Sequence, residues 1–426
     1  MKYAITNGLV FADGVLSKKN ILVEDGVIQE ISDKPFADCD ALDAGGLTVL
    51  PAFFDMHTHL REPGFEYKED FDSGTMAAVH GGYSAVCAMP NTKPVCDSVA
   101  GVNFVYSRAA ECNRAKVYPI AAISKGSKGA ELTEMGTLKE AGAIAVSDDG
   151  RPVENPQLMR LALEYAAAFG MPVISHCEDV KLADGGFANE GYYSTVTGLK
   201  GISRAAEELM VAREALLAGT LGVPVHIAHI STRGSVDIIR EAKKRGVKIT
   251  CETCPHYFAG DDSMIESFDA NTKVNPPLRT KDDVQAILDG IADGTVDAIA
   301  TDHAPHHFDE KNVEYMYAAN GISGLETAFP LSYTHLVASG KITLARLVEL
   351  MCVAPRRILS AQGGAIASGE PADLVIVDLE KEYEIDPATF FSKGKNTPFG
   401  GRKVKGEVRC TIVDGEIKYR KTEEAK

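Results

Sequence analysis

Short apolar runs alternate with longer amphipathic stretches through the middle of the chain, and this alternation limits the possible folds more than any other sequence feature. Eight strand-like runs follow one another between residues 52 and 302: AFFDMH, YSAVCAMP, KVYPIAA, AIAVS, MPVISH, VPVHIAHI, VKITCE and VDAIATD. Helical patterns such as PQLMRLALEYAAAFG and KDDVQAILDGIADG separate most of these runs, and several end in Gly, as helix C-termini do. Eight β-α repeats predict an α/β fold of the (β/α)8 TIM-barrel type.

A doubly wound open sheet is the rival interpretation of this alternation. Such sheets bind nucleotide phosphates through glycine-rich loops. No GxGxxG follows the first strand-like run, and the sequence contains no P-loop. The barrel is therefore the favoured prediction.

Both ends of the chain have a β-rich character of their own. KYAITNGLVFADG, NILVEDGVIQEI and ALDAGGLTVL near the start, and ADLVIVDLE and EVRCTIVDGEIKY near the end, are typical of short strands joined by Asp-Gly hairpin turns. Neither end can bury a core alone. We therefore expect one small composite β-sandwich domain, from residues 1–50 and 361–426, beside a barrel domain at 51–360. Two unrelated terminal extensions are the alternative.

The composition is that of a soluble globular enzyme, with 45% hydrophobic and 24% charged residues. A formal net charge of −16 argues against nonspecific binding to nucleic acid or to an anionic membrane surface. The nine cysteines are odd in number and scattered, which favours reduced thiols in the cytoplasm over a disulfide framework. No signal-peptide pattern and no apolar run of membrane-spanning length is present in the sequence. An anionic substrate would need local cations to hold it.

Polar residues gather at the predicted carboxyl ends of the strands, where TIM barrels carry their chemistry. They are His57, His59, Asn91, Asp148, Asp149, His176, His229, Asp302, His303 and His306. Each alone is more often a satisfied polar side chain or a turn residue, but their convergence on one rim indicates a metal site.

Imidazoles together with carboxylates favour Zn²⁺ or a neighbouring first-row ion. Six residues are candidate ligands, namely His57, His59, Asp149, His176, His229 and Asp302. Six donors are more than one open tetrahedral site uses, and they match two metal ions that share a bridging ligand and a water. The two ions would lower the pKa of that water. Asp149 is preferred to Asp148, which points the other way if the segment is extended.

Several motifs resemble those of the amidohydrolase superfamily, and most closely those of the long, type I bacterial dihydroorotases. They are, in chain order, DMHTHLREPG, AMPNTKPV, SDDG, SHCED, HIAHIST, NPPLR and TDHAPHHFDEK. GAIASGEPADLVIVD, residues 364–378, is similar to the segment that re-enters the small β domain in these enzymes, so the resemblance covers most of the chain. The combination of HxHLREPG with MPNT is specific, whereas HxH alone is weak.

The resemblance implies a zinc-dependent enzyme that reversibly hydrolyses dihydroorotate to N-carbamoyl-aspartate, a step of pyrimidine synthesis. It implies one zinc on His57, His59 and Asp302, a second on His176 and His229, and Asp149 as the bridge, because AIAVSDDG lacks the lysine that many relatives carry there. Asp302 would also be the catalytic residue that moves the proton.

The resemblance also implies a set of substrate contacts. Arg61, Asn91 and His306 would hold the substrate carboxylate, which suits the fork geometry of a guanidinium. Asn275 would contact the ring, and Asn320-Gly321 would supply backbone contacts, although the family often has an aromatic residue in place of Asn320. Without the resemblance, Asn275 is equally well explained as a turn residue before Pro-Pro.

Two rival functions and three partners belong to the same prediction. A hydantoinase or allantoinase is one rival, opposed by the missing lysine and by the arginine of REPG. A catalytically inactive scaffold for aspartate carbamoyltransferase is the other, opposed by the four metal-site histidines. The expected partners are the small-molecule substrate, a second copy in a homodimer and aspartate carbamoyltransferase, with no nucleic acid and no membrane.

Overall fold

The computed structural model describes residues 1–422, and their first five strands lie in one sheet. They are β1 (Lys2–Ala12), β2 (Val15–Glu24), β3 (Val27–Ser32), β4 (Asp40–Asp43) and β5 (Thr48–Pro51). β1, β2 and β3 are antiparallel neighbours, whereas β4 and β5 run parallel to β1. Asp13-Gly14 and Asp25-Gly26 have positive φ angles at all four residues, as the predicted Asp-Gly hairpin turns require.

The next ten strands of the described chain supply the barrel and one small ladder. They are β6 (Phe53–Thr58), β7 (Tyr83–Ala88), β8 (Lys116–Ala121), β9 (Ala145–Ser147), β10 (Val173–Ser175), β11 (Ala188–Asn189), β12 (Gly201–Ile202), β13 (Val225–Ile227), β14 (Ile249–Thr253) and β15 (Ala298–Ile299). β11 and β12 pair only with each other, and the remaining eight form a parallel sheet in chain order. A bridge between Thr58 and His303 brings the two edges together. The predicted (β/α)8 barrel is confirmed.

Helices connect the strands and cover the barrel. Within residues 1–422 the α-helices are α1 (Phe71–His80), α2 (Val99–Cys112), α3 (Met135–Glu140), α4 (Pro156–Ala168), α5 (Val180–Ala183), α6 (Tyr192–Thr197), α7 (Ala205–Leu221), α8 (Arg233–Lys244), α9 (His256–Ala259), α10 (Lys281–Asp293), α11 (Phe308–Lys311), α12 (Ala328–Ser332), α13 (Leu344–Val348) and α14 (Ala354–Leu359). Short 3-10 helices lie at Lys125–Ser127, Asp262–Ser267, Ala270–Thr272 and Pro387–Thr389, and π-helical turns at Tyr333–Ala338 and Glu349–Val353.

Local sequence explains where these helices begin and end. At α10, the Thr280 side chain accepts a hydrogen bond from the Asp283 backbone amide, and Asp283 returns the bond in a capping box. Gly294 ends the same helix with φ +87°, a conformation that L side chains rarely adopt. On α8, Val236 and Ile239 are buried three residues apart on the face toward the barrel.

The chain returns to the first sheet through β16 (Leu374–Glu384), β17 (Lys403–Val413) and β18 (Glu416–Arg420). β16 pairs antiparallel with β5, so the strand order is β18-β17-β16-β5-β1-β2-β3, with β4 beside β1. Buried residues from both ends, including Ile5, Ile21, Ile376 and Ile412, form a common core. Strands from the two termini thus form one sheet, while the domain boundaries at residues 50 and 360 stay a prediction.

The barrel interior is apolar beneath the strand ends. Phe54, Met56, Ile120 and Ile174 are among the buried residues of this inner cluster. The polar side chains at the strand ends therefore lie above a buried apolar layer. No helix within the described residues is long and apolar enough to cross a lipid bilayer.

Candidate active site

The carboxyl end of the first barrel strand positions the first histidine. β6 contains His57, and His59 follows directly after the strand. His57, His59 and Arg61 are spaced two residues apart in the sequence, which is the period of a strand. However, β6 ends at Thr58, and Arg61 has a left-handed backbone with φ +64°. Arg61 nevertheless lines the same cavity as His59. A loop conformation, and not the strand period, therefore positions the arginine.

Asp149 lies between two pairs of histidines. Its Oδ2 is 3.3 Å from Nε2 of His57 and 3.4 Å from Nε2 of His59. Its Oδ1 is 3.4 Å from Nδ1 of His176 and 3.4 Å from Nε2 of His229. Each oxygen of one carboxylate thus faces one histidine pair.

Asp302 completes the first of these groups. Its Oδ1 lies 3.0 Å from Nε2 of His59 and 3.5 Å from Nε2 of His57. In the second group, Nδ1 of His176 and Nε2 of His229 are 2.9 Å apart. All six side chains that the sequence predicted as ligands are buried and come together, and their role as ligands stays a prediction.

The donor atoms fit metal ions in both spacing and chemistry. Two atoms that bind one zinc ion at about 2.0–2.1 Å in tetrahedral geometry lie about 3.3–3.4 Å apart, and the Asp149 oxygens lie at this spacing from the four histidine nitrogens. Nε2 of His57 and Oδ1 of Asp149 are buried without a hydrogen-bond partner among the described residues. Unpaired buried polar atoms are costly, and metal ligation would satisfy them.

Hydrogen bonds on the far side of two imidazoles select the nitrogen that faces the aspartates. Nδ1 of His57 lies 2.6 Å from Oε1 of Glu252, and Nδ1 of His59 lies 2.9 Å from Oδ1 of Asn91. Carboxylate and amide oxygens accept, so in the neutral rings each Nδ1 carries the proton. When a metal ion displaces any proton on the other nitrogen, each Nε2 would present its lone pair to the centre of the site, as metal-ligating histidines do.

The electrostatics of the cluster keep the two aspartates charged. Burial opposes ionisation of Asp302, but a hydrogen bond from His59 and the charge of His57 hold its pKa well below the usual value. Burial likewise opposes ionisation of Asp149, and the surrounding histidines outweigh it and lower its pKa. Both carboxylates are therefore ionised at neutral pH and available to a cation.

A cavity of 140 Å³ opens over this cluster. The sequence-predicted residues His59, Arg61, Asn91, Asp149, His176, His229, Asn275, Asp302, Asn320 and Gly321 line it, together with Gly150 and Ala304. His57 is fully buried beneath it. His306 lies at its edge, with Nε2 3.3 Å from Nη2 of Arg61 and 2.8 Å from the Asn320 carbonyl. Ten of the predicted site residues therefore line one small space, and His57 and His306 contact residues of its lining from outside.

Arg61 brings positive charge to this cavity while His306 stays neutral. Nε of Arg61 donates to the Pro305 carbonyl at 3.2 Å, which leaves guanidinium donors for a ligand. Burial, together with the charges of Arg61 and Lys68, lowers the pKa of His306 to about 3. An anion that enters the cavity thus meets the guanidinium of Arg61, with the neutral imidazole of His306 beside it.

Three site residues have left-handed backbones that are uncommon outside glycine. The φ angle is +64° at Arg61, +34° at His229 and +47° at Asp302. Such conformations cost about 1–3 kcal/mol each and persist only where the surrounding structure enforces them. Their clustering around one cavity is typical of a functional site.

Asp148, the rejected alternative for the shared carboxylate, points away from the histidines. Its Oδ1 accepts from the Ser124 backbone amide at 3.0 Å, and its Oδ2 accepts from the Ser124 hydroxyl. Asp148 therefore closes a loop, and Asp149 alone of the pair faces the cluster.

Sequence reasoning missed Glu252 and Asn396. Glu252 is fully buried within β14 and lies 3.4 Å from Nε2 of His226 as well as against His57. A charged residue inside the apolar run VKITCE was the available signal for it. Asn396, far along the chain, donates to the carbonyls of Ala304 and Gly321 at the cavity wall, and no local pattern indicates that contact.

Solved structures of cyclic-amide hydrolases share this fold. The chain matches an L-hydantoinase (dihydropyrimidinase) from Arthrobacter aurescens with a TM-score of 0.88 and 24% identity, over 97% of this chain and 95% of that chain. It matches a D-hydantoinase (dihydropyrimidinase) from a Thermus species with a TM-score of 0.81 and 25% identity, over 98% of this chain and 95% of the other. Together with the buried His–Asp cluster, the fold indicates the class of metal-dependent cyclic amidohydrolases, which the sequence relatives establish.

Sequence relatives narrow the class further. A family model described as dihydro-orotase-like matches residues 46–235. The chain is 55% identical to a dihydroorotase from Acetivibrio thermocellus over 94% of each chain, and 51% identical to one from Ruminiclostridium cellulolyticum over 99% of each. The chain belongs to the dihydroorotase family.

Proposed function

We propose that this chain reversibly hydrolyses (S)-dihydroorotate to N-carbamoyl-L-aspartate, the dihydroorotase step of pyrimidine biosynthesis, with two zinc ions. The observation that carries the proposal is the position of Asp149, whose two oxygens face separate histidine pairs beside the cation of Arg61. A carboxylate shared in this way suits two metal ions, and the arginine suits a substrate that carries a carboxylate.

The zinc ligands follow from the two groups around that carboxylate. His57, His59 and Asp302 would hold one ion, His176 and His229 the other, with Asp149 shared. When bound, such ions polarise an amide carbonyl and lower the pKa of a water so that a nucleophile forms near neutral pH.

The chain's own residues would orient the substrate over the metal ligands. Arg61, Asn91 and His306 would bind the carboxylate, because a guanidinium fork, an amide nitrogen and an imidazole N–H are all hydrogen-bond donors. Asn275 would bind the ring, and Asn320 and Gly321 would supply backbone contacts. A substrate fixed at its carboxylate presents its scissile amide at a set distance from the histidines, so orientation supplies part of the rate.

Asp302 would move the proton. It is ionised, lines the cavity and lies 3.0 Å from Nε2 of His59. As general base it takes the proton of the attacking water, and as general acid it delivers that proton to the ring nitrogen as the amide bond breaks. The reverse sequence closes the ring of N-carbamoyl-aspartate.

Zinc stoichiometry measured together with substrate preference tests the proposal. We expect two zinc ions per chain and hydrolysis of dihydroorotate in preference to hydantoin and allantoin. Preference for hydantoin or allantoin would identify a different cyclic-amide hydrolase. Protein that binds no zinc and hydrolyses none of the three would favour the inactive scaffold.

A homodimer in the cytoplasm is the proposed working form. An apolar face supports the dimer: Leu209 and Leu216 on α7 are 54% and 71% exposed, and Leu161 on the contacting helix α4 is also exposed. Light scattering of the purified protein measures the oligomer. Adding aspartate carbamoyltransferase to the same experiment tests the second predicted partner.

A further inference from the structure

Residues 385–402, called here the C-terminal arm, leave the terminal sheet between β16 and β17 and pack beside the candidate active site. None of its residues has a role in the chemistry above. We propose that the arm sets the geometry of the carboxylate-binding groups and that Asn396 is the positioning residue through which it acts. The inference rests on the proposed function, because it assigns a role within the same site.

Asn396 is 4% exposed, and its side-chain amide makes four hydrogen bonds. Nδ2 donates to the carbonyls of Ala304 at 3.1 Å and Gly321 at 2.9 Å. Oδ1 accepts from the backbone amide of His306 at 2.9 Å and from the hydroxyl of Ser323 at 3.0 Å. One side chain therefore ties the segment after β15 to the segment that contains Asn320 and Gly321.

Only a side chain with two donors and an acceptor oxygen satisfies these four partners. An aspartate would place oxygens against two carbonyls, and an apolar residue would leave two carbonyls and one backbone amide buried without partners. The hydrogen-bonding partners therefore require an amide side chain at this position. Three of the four are backbone groups in the two segments that flank the His306 side chain.

The arm also supports Arg61 from behind. A Cβ atom on Gly394 would lie 2.6 Å from Cβ of Pro305 and 2.8 Å from its Cα, so the arm backbone packs directly on that proline. The Pro305 carbonyl accepts the hydrogen bond of the Arg61 Nε at 3.2 Å. The arm thus fixes the acceptor that orients the guanidinium as well as the backbone of His306.

Two buried carboxylates anchor the arm to the barrel. Glu69 accepts from the backbone amide of Lys393 at 3.1 Å and from the Ser392 hydroxyl. Glu326 accepts from the backbone amides of Phe391 at 2.7 Å and Ser392 at 3.1 Å. These charge-assisted hydrogen bonds lie within five residues of Asn396, so they hold the backbone that carries its amide in place.

Losing the Asn396 amide should weaken carboxylate recognition without removing the metal ligands, none of which it contacts. Asn396→Ala and Asn396→Asp test this in the zinc-loaded full chain. We expect KM for dihydroorotate to rise about tenfold or more while kcat changes less than about threefold, since the carboxylate contacts would be weakened alike in the ground state and the transition state. Affinity for orotate, a planar analogue that keeps the carboxylate, should fall by a similar factor in calorimetry.

Thr411→Val is the matched control. Its hydroxyl is buried and donates to the Val79 carbonyl, so this variant also removes a buried hydrogen bond between the C-terminal region and the barrel, away from the site. It should keep the wild-type KM and orotate affinity. If Asn396→Ala does not fold, Ser323→Ala removes one of the four bonds and should raise KM by about threefold.

Wild-type KM and orotate affinity in folded, zinc-replete Asn396 variants, or in Ser323→Ala where it replaces them, would overturn the role of the arm. An equal rise of KM in Thr411→Val would overturn it too, because general loosening would then explain the effect. Failure of the wild-type chain to hydrolyse dihydroorotate would instead defeat the proposed function itself, and the two results are distinguishable in one set of assays.

Discussion

Asp148 and Asp149 are neighbours in the sequence with similar burial, yet only Asp149 faces the histidines. We expect Asp149→Ala to reduce bound zinc from about two ions per chain to below one, because the carboxylate shared by both groups is gone. Asp148→Asn, which keeps an acceptor for Ser124, should retain the wild-type zinc content. Metal analysis of both purified variants checks this, and equal zinc loss in the two would contradict the shared role.

One substitution can separate the two roles proposed for Asp302, metal ligand and proton carrier. Asp302→Asn keeps an oxygen at the same position but cannot take a proton, so zinc should stay bound while turnover of dihydroorotate falls by about 10²–10⁴-fold. The experiment compares zinc content and kcat in one preparation. A zinc-replete variant with wild-type kcat would exclude Asp302 as the proton carrier.

At the scale of single residues, sequence predicted the donor cluster but not its support. The two-residue spacing of His57 and His59 and the SDDG motif point to donors at strand ends, because each lies next to a recognisable strand. Glu252 offers only its charge in the run VKITCE, and Asn396 has no local mark at all. Their importance comes from contacts with His57, 195 residues away, and with His306, 90 residues away. Only the folded backbone brings those pairs together.

Elements were predictable where one periodicity ran long enough. The runs PQLMRLALEYAAAFG and KDDVQAILDGIADG predicted α4 and α10, which span Pro156–Ala168 and Lys281–Asp293. Strand ends were less predictable, because hydrogen bonding to neighbours decides where β6 stops and lets Arg61 leave the extended conformation. The strand period therefore indicated which residues face the site, whereas the loop conformation determines how Arg61 reaches it.

β14 supports the site through Glu252, and this support is testable by metal affinity. Glu252→Gln keeps the side-chain shape but weakens the charge-assisted hydrogen bond to Nδ1 of His57. We expect zinc affinity to fall about 10–100-fold, the usual cost of losing a carboxylate behind a ligating histidine. Competition with a chelator measures the affinity directly. Glu241→Gln, an exposed glutamate on α8, is the control and should bind zinc like the wild type.

The buried side chain of Lys311 holds the segment that begins with α11. Nζ of Lys311 donates to the carbonyls of Ala270 at 3.0 Å, Lys273 at 3.2 Å and Ala319 at 2.7 Å. Lys311→Met would leave these carbonyls without that donor, so we expect faster amide exchange through residues 308–321 and an unfolding free energy lower by about 1–3 kcal/mol. Lys341→Met, at an exposed lysine, should change neither quantity. Unchanged exchange in Lys311→Met would show that the segment does not depend on this amine.

At the scale of the whole molecule, protons on the histidines balance the buried carboxylates of the site when no metal is bound. Burial alone would lower the histidine pKa values, but Asp149 and Glu252 raise the pKa of His57 well above its usual value, and Asp149 with Glu178 raises that of His176 to about 10. Protons therefore occupy the metal-free site at neutral pH. Zinc must displace them to bind.

The sign of the pH dependence follows from this displacement. Metal-free protein holds about two more protons than the zinc-bound form near pH 7, so zinc affinity should rise with pH, by up to about two log units per pH unit between pH 7 and 8.5. Because the six donor side chains come together only in the folded chain, the stabilising effect of zinc should shrink as pH falls. Chelator competition across this range gives the slope, and thermal unfolding with and without chelator gives the stability. Asp149→Ala lacks the one carboxylate that raises the pKa of both His57 and His176, so its slope should be flatter. A wild-type affinity independent of pH would mean that the metal-free site is not protonated.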